Sequence, residues 1–147
     1  MGLNLDAVGK TIGPARSKYT WKDLVLYALG VGAGFEELDY VYEERLKAIP
    51  TFATLNTYEF LTDFLTTSGV NLAGLVHGEH ELILHSPVPA GGARLVSEGR
   101  IRAIYDKGPG KGALVVAEVE TRHEDGHKLF TNVATLVARL DGGFGGD

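Results

Sequence analysis

The stretch from Leu75 to Leu140 constrains the fold of this chain most. It holds four extended segments in succession: Leu75 to Pro89, Ala93 to Asp106, Gly112 to His123 and Lys128 to Leu140. Glu124-Asp125-Gly126-His127 joins the last two. An Asp-Gly pair between alternating apolar runs marks a tight antiparallel turn, because the turn demands positive φ and glycine takes it without steric cost. Val115, Ala117 and Val119 alternate with Val116, Glu118 and Glu120. Across the turn, Val133, Thr135, Val137 and Arg139 alternate with Ala134, Leu136, Ala138 and Leu140. A period of two gives a sheet with one buried face and one partly wetted face. The buried face needs a cover, and the helical patterns upstream supply it.

Residues 1–18 carry little periodicity and read as a lead-in segment that wraps the domain. Tyr19-Thr20-Trp21-Lys22-Asp23 opens a helix, with Thr20 placed to cap it and Asp23 in the first turn, where a carboxylate suits the helix dipole. Leu24, Tyr27, Ala28 and Val31 follow at helical spacing, and Gly30-Val31-Gly32 stops the helix. Leu38 to Tyr42 reads as a short strand or extended piece. Pro50 stands in the favoured first-turn position of the next helical segment. Phe52, Leu55, Tyr58, Phe60, Leu61, Phe64 and Leu65 then mark at least part of residues 52–65 as the helix packed across the sheet. These aromatics read as core rather than as a ligand pocket, and Thr66 to Gly74 reads as a loop. The class is therefore α+β. A curled antiparallel sheet around a central helical segment is the arrangement called a hot-dog fold.

A chain of 147 residues is one domain by length, 1–147, with a core large enough to need no staples. It has no cysteine, which excludes disulfides, thiolate nucleophiles and thiolate metal sites. Fourteen Lys and Arg against nineteen Asp and Glu give a net charge of −5 with no basic stripe, which argues against nucleic acid as a partner. No apolar run approaches the roughly 20 residues a membrane span requires. Met1 to Asp6 lacks the pattern of a signal peptide, so the expectation is a soluble, cytoplasmic protein.

Three polar stretches could carry chemistry. In His77-Gly78-Glu79-His80-Glu81, a regular strand would put His77, Glu79 and Glu81 on one face and His80 on the other. Neighbours on one strand rarely supply enough converging ligands for a metal, so no metal is expected. Gly78, inside a strand, marks a bulge or a place where something approaches the backbone. Asp106-Lys107-Gly108-Pro109-Gly110-Lys111-Gly112 is a turn with two lysines and exposed amides. It reads as a solvated loop or as an anion site, and it is no P-loop, since the required string is missing. His123, Asp125 and His127 surround the hairpin turn and read as exposed. Glu59 and Asp63 lie on the central helical segment, where a carboxylate could activate water or simply face solvent. No serine sits in a nucleophile elbow.

Several strings of this sequence resemble the (R)-specific enoyl-CoA hydratases of the MaoC-like group, including the hydratase part of the peroxisomal multifunctional enzyme. They are Tyr19 to Ala33, Pro50-Thr51-Phe52, Val76-His77-Gly78-Glu79, Pro87-Val88-Pro89, Asp106-Lys107-Gly108 and Gly142-Gly143-Phe144-Gly145-Gly146, in the family's order across nearly the whole chain. That family pairs two hot-dog units into a double hot dog. The first unit has a degraded helix region and opens a tunnel for the acyl chain. The second carries Asp-x-Asn-Pro-x-His, whose aspartate and histidine activate water, while a glycine N–H polarises the thioester carbonyl. This chain resembles the first unit and lacks that string, so the resemblance implies no catalytic residue here. It implies CoA-thioester contacts at His77, Gly78, Lys107 and Gly108, with Lys111 added from its place in the same loop. It also implies no further cofactor beyond the CoA substrate, a tail at residues 142–147 like the start of an interdomain linker, and a second hot-dog unit bearing the missing string. A homodimeric acyl-CoA-binding or structural module, and a thioesterase using Asp63 or Glu59, are the competing readings. A fragment of a longer enzyme is another.

Overall fold

A computed structural model describes residues 2–146. Five antiparallel strands form one sheet in the order β1-β3-β4-β5-β2. The strands are β1 (Thr11–Thr20), β2 (Leu75–Leu84), β3 (Gly92–Asp106), β4 (Ala113–His123) and β5 (Lys128–Ala138). Four short α-helices lie between β1 and β2 in the chain: α1 (Trp21–Gly30), α2 (Leu38–Val41), α3 (Asn56–Glu59) and α4 (Leu61–Ser68). The fold is the hot-dog arrangement, with the helical segment across the concave face of the curled sheet.

The predicted alternation sets that face. Ile101 of β3, Val115, Ala117 and Val119 of β4, and Leu136 of β5 pack in one cluster with Phe60 and Phe64. The two rings need room, and Gly99 gives it. A Cβ there would lie 2.8 Å from Phe60 and 3.0 Å from Phe64. On the convex face Glu118 pairs with Arg100 and Arg102, and Glu120 with Arg122 and Lys128. These exposed pairs keep that face wet and contribute little to stability each.

The covering segment is broken into pieces. A 3-10 helix at Pro50–Leu55, then α3, then α4 succeed one another, with the break between the α-helices at Phe60. The buried Asn132 side chain donates to the carbonyl of Ala53 at 3.0 Å. Asn56, also buried, reaches Ser97 Oγ at 3.4 Å. Tertiary hydrogen bonds thus compete for this segment's polar groups, and its Asn and Thr residues are weak helix formers.

Four expectations need correction. The first 18 residues are more than a lead-in: Thr11–Thr20 is an edge strand paired with β3, its register shifting between Ile12 and Ala15. Leu38 to Tyr42 is no strand. Leu38–Val41 makes one helical turn, held by Asp39, which pairs with both Arg45 and Lys47. The supposed loop from Thr66 begins in helix, since α4 runs to Ser68 and closes on Gly69 at positive φ, the left-handed cap that glycine favours. The strand from Leu75 ends at Leu84 rather than Pro89.

Candidate functional site

The edge strand β2 and the β3–β4 loop hold the residues singled out in the sequence. On β2 the expected facing of the side chains is wrong, and Gly78 is the reason. The register shifts between His77 and Glu79, so His77 stands opposite Leu136 and His80 opposite Ala134. Leu136 and Ala134 share one face of β5, so the bulge turns His77 and His80 to the same, concave side. Their rings stack with centroids 5.4 Å apart. A Cβ on Gly78 would come 2.8 Å from Val137 and 3.2 Å from the Thr135 carbonyl, so the bulge fits glycine closely. His80 Nε2 lies 2.9 Å from Asn132 Oδ1. One side of Asn132 thus holds the covering segment through Ala53 and the other meets the edge strand.

Further along β2, Leu82 stands opposite Asn132 and Leu84 opposite Phe130, again on the concave side. This row leads into a cleft of about 660 Å³ between the β2–β3 connection and residues 46–50, lined by Leu46, Ala48, Pro50, Leu84 and Val88 among others. A second cleft, of about 420 Å³, lies at the other edge between α1, the broken helical segment and β1, where Tyr19, Leu26, Phe52 and Glu59 meet. The phenol of buried Tyr19 donates to the Pro89 carbonyl at 2.8 Å, and burial raises its pKa.

The glycine-rich loop joins β3 to β4 at the end of the sheet where β2 begins, because Ala113 pairs with Ala138 and Ala138 with Leu75. Its backbone is less free than expected. The Asp106 carboxylate accepts from the amides of Gly108 (2.9 Å), Gly143 (2.7 Å) and Gly145 (2.7 Å). These bonds favour the charged form and lower the Asp106 pKa. A resident carboxylate therefore already takes one loop amide, that of Gly108, which an incoming anion would want. It also straps the tail of residues 142–146 over the loop, where Gly142 approaches Gly112 so closely that a Cβ would lie 2.5 Å from its carbonyl oxygen. The side chains of Lys107 and Lys111 are exposed and enter no ion pair among the described residues. His77 and Lys107 share one end of the sheet but stand roughly 15–20 Å apart, three strand spacings across.

Glu59 and Asp63 are both exposed. Glu59 lines the smaller cleft; Asp63 does not. No Asp or Glu of the broken helical segment meets a histidine among the described hydrogen bonds and ion pairs, so no acid–base pair is assembled there. Asn132 escaped the sequence reading. A polar residue at an inward position of an otherwise apolar strand was the available sign.

Comparison with known proteins adds to this geometry. Residues 17–140 match the family model described as the MFE-2 hydratase 2 N-terminal domain. The chain is 33% identical to a probable enoyl-CoA hydratase 2 of Dictyostelium discoideum over 95% of its own length and 49% of that protein's. Among solved structures it is similar to a MaoC-like dehydratase from Phytophthora capsici, with a TM-score of 0.78 at 22% identity, covering 98% of this chain and 52% of that one. A truncated HadBC (3R-hydroxyacyl-ACP dehydratase) complex from Mycobacterium tuberculosis gives a TM-score of 0.75 at 21% identity, covering 90% of this chain and 97% of that one. These two likenesses speak to the fold. The chain spans about half the length of the curated relatives it matches.

Proposed function

The chain belongs to the MFE-2 hydratase 2 N-terminal domain family, within the MaoC-like enoyl-CoA hydratases, and from that premise we propose that it is the thioester-holding, non-catalytic half of an (R)-specific hydratase. In this reading a second hot-dog unit, bearing Asp-x-Asn-Pro-x-His, supplies the groups that activate water. Together they add water reversibly across the 2,3-double bond of an enoyl-CoA. The observation that carries the reading is the state of β2. Nine of its residues pair with β5 on one side, yet the strand is half-buried at best on either face. A ten-residue strand with one unpaired edge is a template for another strand. The bulge and the charged residues that blunt such edges stand between His77 and Glu81, whereas Leu82, Ile83 and Leu84 are apolar, with Ile83 and Leu84 about 40% exposed. Pairing through that apolar end would bring the second unit's residues over the concave face beside His77 and His80.

The ligand follows the same geometry. The thioester lies at the Gly78 bulge, where His77 stands beside it on the concave side. The acyl tail runs along His80, Leu82 and Leu84 into the larger cleft, whose aliphatic lining suits a chain. The nucleotide phosphates reach Lys107 and Lys111, with Gly108 keeping the loop close. The roughly 15–20 Å between His77 and Lys107 matches the long pantetheine arm of CoA in order of magnitude, and an acyl-carrier-protein thioester would offer the same arm without the nucleotide. The two lysines favour CoA.

The test is hydration of a medium-chain 2-enoyl-CoA by this chain alone and by the chain mixed with a hot-dog unit carrying the missing string. Activity in the mixture alone supports the division of labour. Full activity of the isolated chain contradicts it.

A further inference from the structure

The hairpin at the opposite end of the sheet holds a cluster that the thioester site does not use. His123 Nδ1 lies 3.1 Å from one oxygen of Asp125, and His127 Nδ1 lies 3.5 Å from the other. The three donor atoms fall within 4.8 Å of one another. The turn makes this arrangement. The amide of His123 donates to the carbonyl of His127 at 2.9 Å, setting the histidines opposite each other, and Gly126 takes the positive φ that closes the loop. The rings sit 6.0 Å apart, tilted by 31°. Asp125 is aimed between them, since its carboxylate accepts the His127 amide at 3.0 Å. The Asp125 amide donates to His123 Nδ1 at 3.4 Å, which turns that nitrogen's lone pair into the turn, and an ion there would replace this long bond.

We propose that His123, Asp125 and His127 form a binding site for a borderline divalent transition ion of the zinc class. Bonds of about 2.0–2.2 Å to imidazole nitrogen and carboxylate oxygen put neighbouring donors of a tetrahedral site about 3.3–3.5 Å apart. The two separations above, each to a different oxygen of Asp125, lie near that edge, and all three donors lie within 4.8 Å of one another, so rotation of the carboxylate and the two rings closes the cluster on an ion. Two imidazoles with one carboxylate select zinc, nickel or copper over magnesium and calcium, which demand oxygen. The adjacent cations do not oppose it: Arg122 and Lys128 are both engaged by Glu120, and Arg122 also donates to the Gly126 carbonyl. A water molecule completes the shell. By sequence, a metal is weighed only at the His77–Glu81 strand, and His123, Asp125 and His127 read as exposed residues around the hairpin turn, whereas the fold-back makes His-x-Asp-x-His a facing pair with a carboxylate between. The site lies a full strand's length, roughly 35 Å, from the Lys107 loop, and so is independent of the thioester reading. Its chemistry is that of a staple across the β4–β5 turn.

The experiment is calorimetric titration of the metal-stripped full chain with zinc alone, paired with cobalt(II) titration followed in the visible d–d region. One equivalent should bind, with a cobalt spectrum typical of four or five ligands. His127→Ala, an exposed change, should weaken zinc at least tenfold, and His123→Ala/His127→Ala at least a hundredfold. A His77→Ala/His80→Ala variant should keep its zinc affinity within twofold, because those stacked histidines lie on another strand. Circular dichroism checks that each variant is folded, and the single His127→Ala variant carries the test if the double one is not. Zinc affinity unchanged in the folded His127→Ala variant overturns the proposal. So does absence of zinc binding to the parent chain, or its loss on removing His77 and His80.

Discussion

The middle of the sheet and its β2 edge follow different rules. In β4, from Ala113 to Thr121, inward residues are buried and outward ones half-exposed in strict alternation, and strands flank it on both sides. Phe60 and Phe64, each 1% exposed, close the concave face over it. In β2 the alternation is interrupted by a glycine bulge, both faces meet solvent, and one edge has no partner strand among the described residues. The centre is made to be stable by itself. In the proposed reading the edge is completed by a second unit along its backbone and by a ligand along its concave side.

Identical kinds of mutation in the two regions should therefore have different consequences. Phe64→Ala removes a ring from the closed core and should cost about 3–5 kcal/mol in urea denaturation, whereas Leu84→Ala, at the open edge, should change stability by about 0.5 kcal/mol or less. Ile83→Lys should leave the isolated chain's unfolding midpoint nearly unchanged yet weaken assembly with the second hot-dog unit about a hundredfold, near 2.7 kcal/mol, measured by analytical ultracentrifugation. If it unfolds the chain instead, the contrast between the regions fails. Gly99→Val drives a side chain into Phe60 and Phe64 and should cost about 1–3 kcal/mol. Lys107→Ala or Lys111→Ala should weaken acyl-CoA binding by the assembled protein about five- to tenfold each, about 1–1.4 kcal/mol, with less effect on a pantetheine thioester that has no nucleotide.

The mildest effect should come from pH at the tail strap. The folded pKa of Asp106 is lowered by the amides of Gly143, Gly108 and Gly145. Its contribution is therefore complete above the ordinary carboxylate pKa of about 3.9 and fades as pH falls through the lower folded value. The amide resonances of Gly143 and Gly145 should move together in that acid range, and Asp106→Asn should remove the transition.

Where residues act through local chemistry, the sequence was readable. The Asp125-Gly126 turn, the alternation of β4 and β5, and the helix start at Thr20 all stand as expected; Asp23 accepts from the Thr20 amide at 2.7 Å. β1 was hidden because Thr11–Thr20 contains Gly13-Pro14 at its register shift and mostly polar residues at the sheet edge, so no alternation survives. Leu38–Val41 has the β-prone residues Tyr40 and Val41, and a salt bridge from outside the segment holds it in a helical turn. The pairing of His77 with His80 depends on one bulged residue, which inverts every face beyond it. The strapping of the tail amides to Asp106 brings together residues 37 and 39 positions apart, a distance over which local pattern carries no information. The positions of His77, Gly78 and Lys107 rested on family likeness, and the structure supplies the surface on which that likeness can be tested.

The most direct test is a crystal structure of the chain assembled with a catalytic hot-dog unit and a non-hydratable acyl-CoA. The thioester should lie against Gly78 with the nucleotide phosphates within hydrogen-bonding reach of Lys107 or Lys111, and β2 should pair with a strand of the other unit. A nucleotide bound far from those lysines, with β2 still open to solvent, would contradict the account.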